Sequence, residues 1–225
     1  MGSEDVEHRR RYDAPRRRAK ADATRRSVLD AARRLFVDKG IVGTTVGSVA
    51  AEAGVSVQTV YAVFGSKAGI LIALLDDLEV AANAAGYAEA IEASSDSRER
   101  LAVIVAFHCQ LFASGLDVIL VAHRSSSDPR VRPFVEEGET RRRAACEGWV
   151  GGFLSRGDLR PGLDAATAVD LLWVHCGPDV YSAFVVGCGW SRERVERWLT
   201  ERLTGLLFGG HLETGAEGPT AGTQS

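Results

Sequence analysis

The chain is predicted to be all-α, and three observations carry that expectation. No segment alternates apolar and polar residues as a half-buried strand does, while apolar residues recur at three- and four-residue spacing from Val28 to Phe208. Glycine and polar clusters cut this pattern into pieces of helical length. The stretch from Thr44 to Phe64, TTVGSVAAEAGVSVQTVYAVF, holds two short helical patterns broken by a glycine, a helix-turn-helix signature. The architecture that follows is an N-terminal three-helix helix-turn-helix domain joined by a fourth helix to a larger helical domain.

Residues 1–20 lack apolar periodicity and carry Arg9-Arg10-Arg11 and Arg16-Arg17-Arg18, so they read as a disordered basic arm. A first helix over 21–39 places Val28, Ala32, Leu35 and Phe36 on one stripe and stops at Gly40. The second helix begins after Thr45, whose hydroxyl suits an N-cap, with Val46, Val49, Ala50 and Ala53 facing inward. Gly54 ends it, because the steep turn needs a left-handed residue. Ser56 caps the third helix, which turns Val60, Val63 and Phe64 inward and leaves Val57, Gln58, Thr59, Tyr61 and Ala62 outward or sideways. Ser66 caps the fourth, which continues through Leu71, Leu74 and Leu78 toward Ala90.

Beyond a polar break at 94–97, Asp96 and Glu99 offer a capping box for a fifth helix to about Ala113. Gly115 separates a sixth (116–125), and Asp128-Pro129 opens a seventh (129–156). A loop runs from Gly157 to Gly162, Asp164 caps an eighth helix to Val186 kinked at Gly177-Pro178, and Ser191 caps a ninth ending near Phe208. The domain limits are therefore 21–66 for the helix-turn-helix domain and 67–210 for the second domain, with 211–225 a disordered polar tail.

At 225 residues with 45% apolar content, the chain can bury a sizeable core and suits one or two domains. No apolar run approaches the roughly 18 to 20 residues of a membrane span, and the N-terminus is charged, so a cytoplasmic protein without membrane contact is expected. Cys109, Cys146, Cys176 and Cys188 lie far apart with no ligand spacing; no metal is expected, and they read as reduced core or pocket residues. The net charge of −3 hides an asymmetry: residues 1–75 hold 13 Lys and Arg against 8 Asp and Glu, or +5, and the remainder holds 14 against 22, or −8. The basic half is the half with the motif, which suits phosphate binding. A solvated basic arm accounts for the same charge.

The run from Val28 to Leu75, VLDAARRLFVDKGIVGTTVGSVAAEAGVSVQTVYAVFGSKAGILIALLD, resembles the DNA-binding domain of TetR-family transcriptional regulators. Its landmarks are AARRLF, a glycine loop, TTV, AGVS, a recognition helix ending in Tyr and Phe, and Ser-Lys opening the fourth helix. The chain departs at Ala62, where the family often has a His, Trp or Arg, and at Ala68-Gly69, where it often has acidic residues. DLLW, GPDVY and GWSRERVERWL look like the closing helices of many such regulators.

This resemblance implies a homodimer on double-stranded DNA at a palindromic operator. Ser56, Val57, Gln58, Thr59 and Tyr61 would face the major groove, with Gln58 the base reader, Val57 against a thymine methyl, and Thr45, Tyr61 and Lys67 positioned on phosphates. It also implies a ligand-binding and dimerisation domain. There Phe107, His108, Phe112, Trp149, Trp173, His175, Cys176 and Tyr181 provide aromatic walls with polar tips for a small, hydrophobic effector, and the last two long helices pair two copies. The ninth helix, with Val195, Trp198, Leu199, Leu203, Leu206 and Leu207, is too apolar for one narrow stripe. No catalytic residue, metal or cofactor is expected, because P-loop, GxSxG, HExxH and dinucleotide fingerprints are all missing. A helical adaptor or a small helical enzyme without sequence-specific DNA binding is the alternative.

Overall fold

The computed structural model describes residues 3–209, with side chains from Arg18 onward. Ten α-helices follow in order among the described residues: α1 (Ser3–Gly43), α2 (Val46–Glu52), α3 (Val57–Phe64), α4 (Lys67–Ala81), α5 (Ala84–Ala93), α6 (Ser97–Arg124), α7 (Arg132–Ser155), α8 (Ala165–His175), α9 (Pro178–Ser182) and α10 (Arg192–Phe208). A π-helical turn, Ala183–Gly187, joins the last two. The all-α class is thereby met.

Side-chain caps set most of the starts. Thr45, Ser56, Ser66, Asp164 and Ser191 accept from the backbone N–H three residues on, and Asp96 accepts from Arg98 and Glu99. Each satisfies an amide that the first helical turn leaves without a partner. Gly54 sits at φ 67° and carries the turn between α2 and α3, a conformation that strains residues with a Cβ.

Four expectations need correction. Residues 3–20 continue α1 instead of forming a disordered arm. The segment is rich in arginine, a good helix former, and a helix needs no apolar stripe to form from such residues. The fourth helix does not run unbroken to Ala90. Asn83 takes a left-handed conformation at φ 55°, which asparagine tolerates better than most residues, and α5 restarts beyond it. Within α6 the backbone leaves helical geometry at Gly115 (φ −171°, ψ 42°), so two helical stretches meet at a kink there, where the sequence places the boundary between its fifth and sixth helices. The long eighth helix breaks into α8, α9 and the π turn, with Pro178 opening α9 at a position where its missing N–H costs little. Finally, α6 is long and apolar enough to cross a membrane by length and composition. Part of its apolar surface is core: Leu101, Ile104, Val105, Cys109, Phe112, Val118 and Ala122 are buried. The tail expected over 211–225 lies outside the described residues.

The chain divides into two compact units that do not follow the contiguous limits 21–66 and 67–210. The first comprises Met1–Tyr87 and Gln110–Arg142, the second Ala88–Cys109 and Arg143–Ser225. The reason is visible in the first unit's core. Val28, Ala32 and Phe36 of α1, Val49 and Ala50 of α2, Val60 of α3 and Ile70, Leu71 and Leu74 of α4 cluster with Val118, Val121, Ala122 and Val131. Helix α4 carries more apolar surface than α1–α3 cover, and the second half of α6 supplies the rest. Within the second unit, α8 packs on α10, and Phe153 meets Phe208 edge to face at 5.1 Å.

Candidate nucleic-acid interface and effector-domain residues

In α3 the helical period sorts the residues onto two sides. Val60 is buried as a plug against α1, α2 and α4, with Phe64 half-buried beside it. Val57, Gln58, Tyr61 and Ala62 are exposed on the opposite side, Val57 to 42% and Tyr61 to 51%. An exposed valine and tyrosine flanking a glutamine make a surface that can read both a methyl group and hydrogen-bonding base edges. Val63, expected to face inward, is 47% exposed, because the short helix buries only the side that contains Val60.

Ser56 and Thr59 are less available than the sequence suggests. The Ser56 oxygen accepts from the Thr59 N–H at 3.1 Å and lies 2.8 Å from the Thr59 hydroxyl, so both close the cap of α3. Thr45 is likewise engaged: its Oγ1 accepts from the Ser48 N–H at 3.0 Å, and the Ser48 hydroxyl is within 3.2 Å of the Thr45 N–H that donates to it. This reciprocal box has serine where the usual motif has Glu or Gln, and that is why the sequence reading missed Ser48.

The geometry at the start of α4 accounts for one departure from the resembled pattern. A Cβ on residue 69 would lie 2.0 Å from the Phe64 carbonyl oxygen, so glycine belongs there, whereas a side chain would push the helix off α3. Lys67 is also placed differently from a solvent-facing cation. Its ammonium is half-buried and donates to the carbonyls of Ile41 and Thr44, the latter at 2.7 Å. Burial lowers its pKa from the ordinary lysine value, and the Arg130 charge adds to this while Asp128 opposes it. Arg130 in turn holds the Asp128 carboxyl down at about 2, by side-chain and backbone hydrogen bonds.

Of the basic residues in α1, several are already committed to carboxylates within the first unit. Arg25 reaches Asp77 at 2.9 Å, Arg33 reaches Asp117 at 2.7 Å, and Arg34 reaches Glu52 at 3.2 Å. The positive balance of this part of the sequence is therefore partly internal.

The residues expected to line an effector site are only partly brought together. His108 is buried, with Nδ1 2.8 Å from the Ile104 carbonyl, and its ring meets Phe107 at 5.2 Å and Trp149 at 5.7 Å in edge-on contacts. Phe112 is buried one turn further along α6 and falls in the first unit, not the second. Trp173 lies under the Arg143 guanidinium at 6.0 Å, and Arg143 also pairs with Asp170 at 2.8 Å. His175 is half-buried, its Nδ1 2.7 Å from the Leu171 carbonyl.

Cys176 and Tyr181 are buried, and burial raises the tyrosine pKa, with the nearby Cys109 adding to the shift. Burial also pushes the Cys109 thiol up to about 12, which keeps it protonated and unreactive. Cys109, Cys146 and Cys176 are buried free thiols as expected, but Cys188 is exposed, because it ends the π turn at the surface.

Two features of the second unit were not singled out in the sequence. Phe184 stacks on Trp190 at 4.5 Å and lies 4.7 Å from Trp198, with Arg194 over Trp190 at 3.9 Å and Arg202 over Trp198 at 5.4 Å. An open groove of about 460 Å³ runs along α10, lined by Ala102, Arg192, Glu193, Glu196, Arg197, Thr200 and Glu201. It is a charged surface feature and contains none of the eight aromatic-wall residues.

Residues 28–74 match the family model described as bacterial regulatory proteins, tetR family. The chain is 30% identical over 139 residues to the HTH-type transcriptional regulator HbdR of Aromatoleum sp. (strain CIB), a match that covers 61% of this chain and 60% of that protein's length. Among solved structures it resembles FadR of Bacillus subtilis in complex with stearoyl-CoA, with TM-score 0.65 and 21% identity over 82% of this chain and 98% of that one. It also resembles NalD of Pseudomonas aeruginosa, the secondary repressor of the MexAB-OprM multidrug efflux pump, with TM-score 0.69 and 18% identity over 84% and 98%. At those identities the two structures speak for the fold. The domain match, the regulator relative and the shared fold agree with the residue landmarks: residues 28–74 are similar to the tetR family of bacterial regulatory proteins, and the chain as a whole shares the fold of the two solved regulators.

Proposed function

We propose that this protein is a DNA-binding transcriptional regulator, a homodimeric repressor released from a palindromic operator by a small hydrophobic ligand. The observation that carries the reading is the face of α3, where Val57, Gln58 and Tyr61 stand exposed on a helix whose other side is plugged by Val60. Two such helices related by a two-fold axis read the halves of a palindrome in successive major grooves. Thr45 and Tyr61 contact phosphates, which fix the register without specifying sequence. The DNA places the protein in the bacterial cytoplasm, and no catalytic step is assigned to it.

The effector domain's aromatic groups support an apolar ligand, with Phe107, His108 and Trp149 as the part of the wall already assembled. The stearoyl-CoA in the B. subtilis FadR structure makes long-chain acyl compounds the first class to try. Such a ligand derepresses only through its differential affinity for the DNA-incompetent state; a hundredfold preference shifts the balance by about 2.7 kcal/mol.

The test is a selection of bound fragments from genomic DNA followed by titration of ligands. A symmetric site should emerge from the fragments, and a ligand that changes tryptophan fluorescence should reduce affinity for that site with the same midpoint. Absence of retention on any DNA at low salt overturns the reading in favour of a helical adaptor. A tightly bound ligand that leaves operator affinity untouched removes the induction step for that ligand.

A further inference from the structure

The role of Lys67 follows from where its ammonium is held. In the corner between α1 and α2, the buried Thr44 hydroxyl donates within reach of two carbonyls, Gly40 at 2.8 Å and Leu35 at 3.1 Å. Lys67, the first residue of α4, adds two more bonds from outside the corner, to the Ile41 and Thr44 carbonyls. The Thr44 carbonyl belongs to the peptide that leads directly into Thr45, whose own hydroxyl is fixed by the Ser48 box. Two of the three ammonium protons are therefore spent on backbone inside the protein, and the half-burial of the side chain turns it away from solvent.

We infer that Lys67 is a positioning residue: it ties the start of α4 to the corner that carries Thr45, and acts on DNA binding through that corner instead of by contacting a phosphate. This rests on the regulator reading and changes the part Lys67 plays in it. A lysine that clamps a phosphate releases a counterion, so its loss flattens the salt dependence of binding by about one unit. A lysine that braces the corner leaves the number of neutralised phosphates unchanged. Its loss weakens binding by the same factor at every salt concentration. It also makes the contribution of Thr45 depend on Lys67, whereas two independent phosphate contacts contribute separately.

The experiment compares the full chain with Lys67→Met, and with Lys67→Gln as the milder second variant that keeps a donor on the side chain. First, amide hydrogen exchange is measured on the free proteins. The Ser48 amide should exchange at least about tenfold faster in Lys67→Met, with the amides of Ala32 and Phe36 in the α1 core unchanged. Unchanged Ser48 exchange overturns the bracing role, and this arm gives its answer even if the protein binds no DNA. Second, operator affinity is measured from about 50 to 300 mM salt for wild type, each Lys67 variant, Thr45→Val and the double variants. Parallel lines with a tenfold or larger offset, and a Thr45→Val effect that shrinks in the Lys67 variants, support the inference. A slope reduced by about one unit with additive losses identifies Lys67 as a phosphate ligand and overturns it.

Discussion

Arg33 and Asp117 form a two-pronged ion pair, Nε to Oδ2 at 2.9 Å and Nη2 to Oδ1 at 2.7 Å, that fastens α1 to the second half of α6. Burial pushes the Asp117 carboxyl up, but the Arg33 hydrogen bonds and charge outweigh it, and the net pKa lies below the ordinary aspartate value. A carboxyl lowered in the folded state contributes stability above its unfolded pKa of about 3.9, and that contribution is lost as pH falls through the folded value. Both side chains are more than a third exposed, which screens the pair. Asp117→Asn should therefore lower stability by only about 1 kcal/mol at pH 7. Urea unfolding should show the gap between variant and wild type narrowing below pH 4; a gap that widens there means the pair is not the cause.

The bend in α6 brings Gly115 against α4 so closely that an added Cβ would sit 2.2 Å from a Leu78 methyl. Gly115→Ala should cost about 1 to 3 kcal/mol through overpacking. The offending atoms are the tip of one side chain, so Gly115→Ala combined with Leu78→Ala should cost clearly less than the sum of the two. Thermal or urea unfolding of the four proteins measures this directly, and strict additivity contradicts the contact.

Gln58 is the exposed residue on α3 whose amide can both donate to and accept from an adenine edge. Gln58→Ala should relax discrimination at one base pair by roughly 1 to 3 kcal/mol, leaving the rest of the site unchanged. Repeating the binding-site selection with this variant checks it. An unaltered consensus assigns base reading to another residue.

Helix α10 buries Val195, Leu199, Leu203 and Leu207 in its own unit, while Val174 on α8 remains 50% exposed and Val186 on the π turn 70% exposed. If these last elements pair two copies, sedimentation at micromolar concentration should return twice the chain mass. Val174→Glu should then weaken self-association by at least about tenfold, or 1.4 kcal/mol. A monomer in the wild type removes the dimer from the proposal.

The parts of this protein that were legible in its sequence are those decided within a few residues. Thr45, Ser56, Ser66, Asp96, Asp164 and Ser191 were read as caps because a cap needs only a short side chain and a neighbouring amide, and all six accept such bonds. Gly54 was legible for the same local reason. Asn83 was not, since asparagine can also sit in a helix and only the completed chain selects its left-handed state. Val63 was misplaced because a short helix offers apolar residues on more sides than its neighbours can bury. The bonds of Lys67 go to carbonyls far back in the sequence, Ile41 and Thr44, and carbonyls leave no mark on residue type. The aromatic residues were visible as a composition, but which of them meet, Phe107 and Trp149 around His108, is a matter of packing.

Because Val118, Val121, Ala122 and Val131 join α4 in one core, the helix-turn-helix part of this protein is not a cassette that can be cut out at the end of the motif. A chimera made by grafting residues up to Tyr87 onto a foreign second domain would strip Leu78 of its cover at Gly115 unless the new host happened to present a matching surface. Swapping specificity between regulators built this way is therefore better done by exchanging the exposed side chains of α3 alone. Any larger transplant has to carry Gln110–Arg142 along with the reader, although that segment lies far away in the sequence.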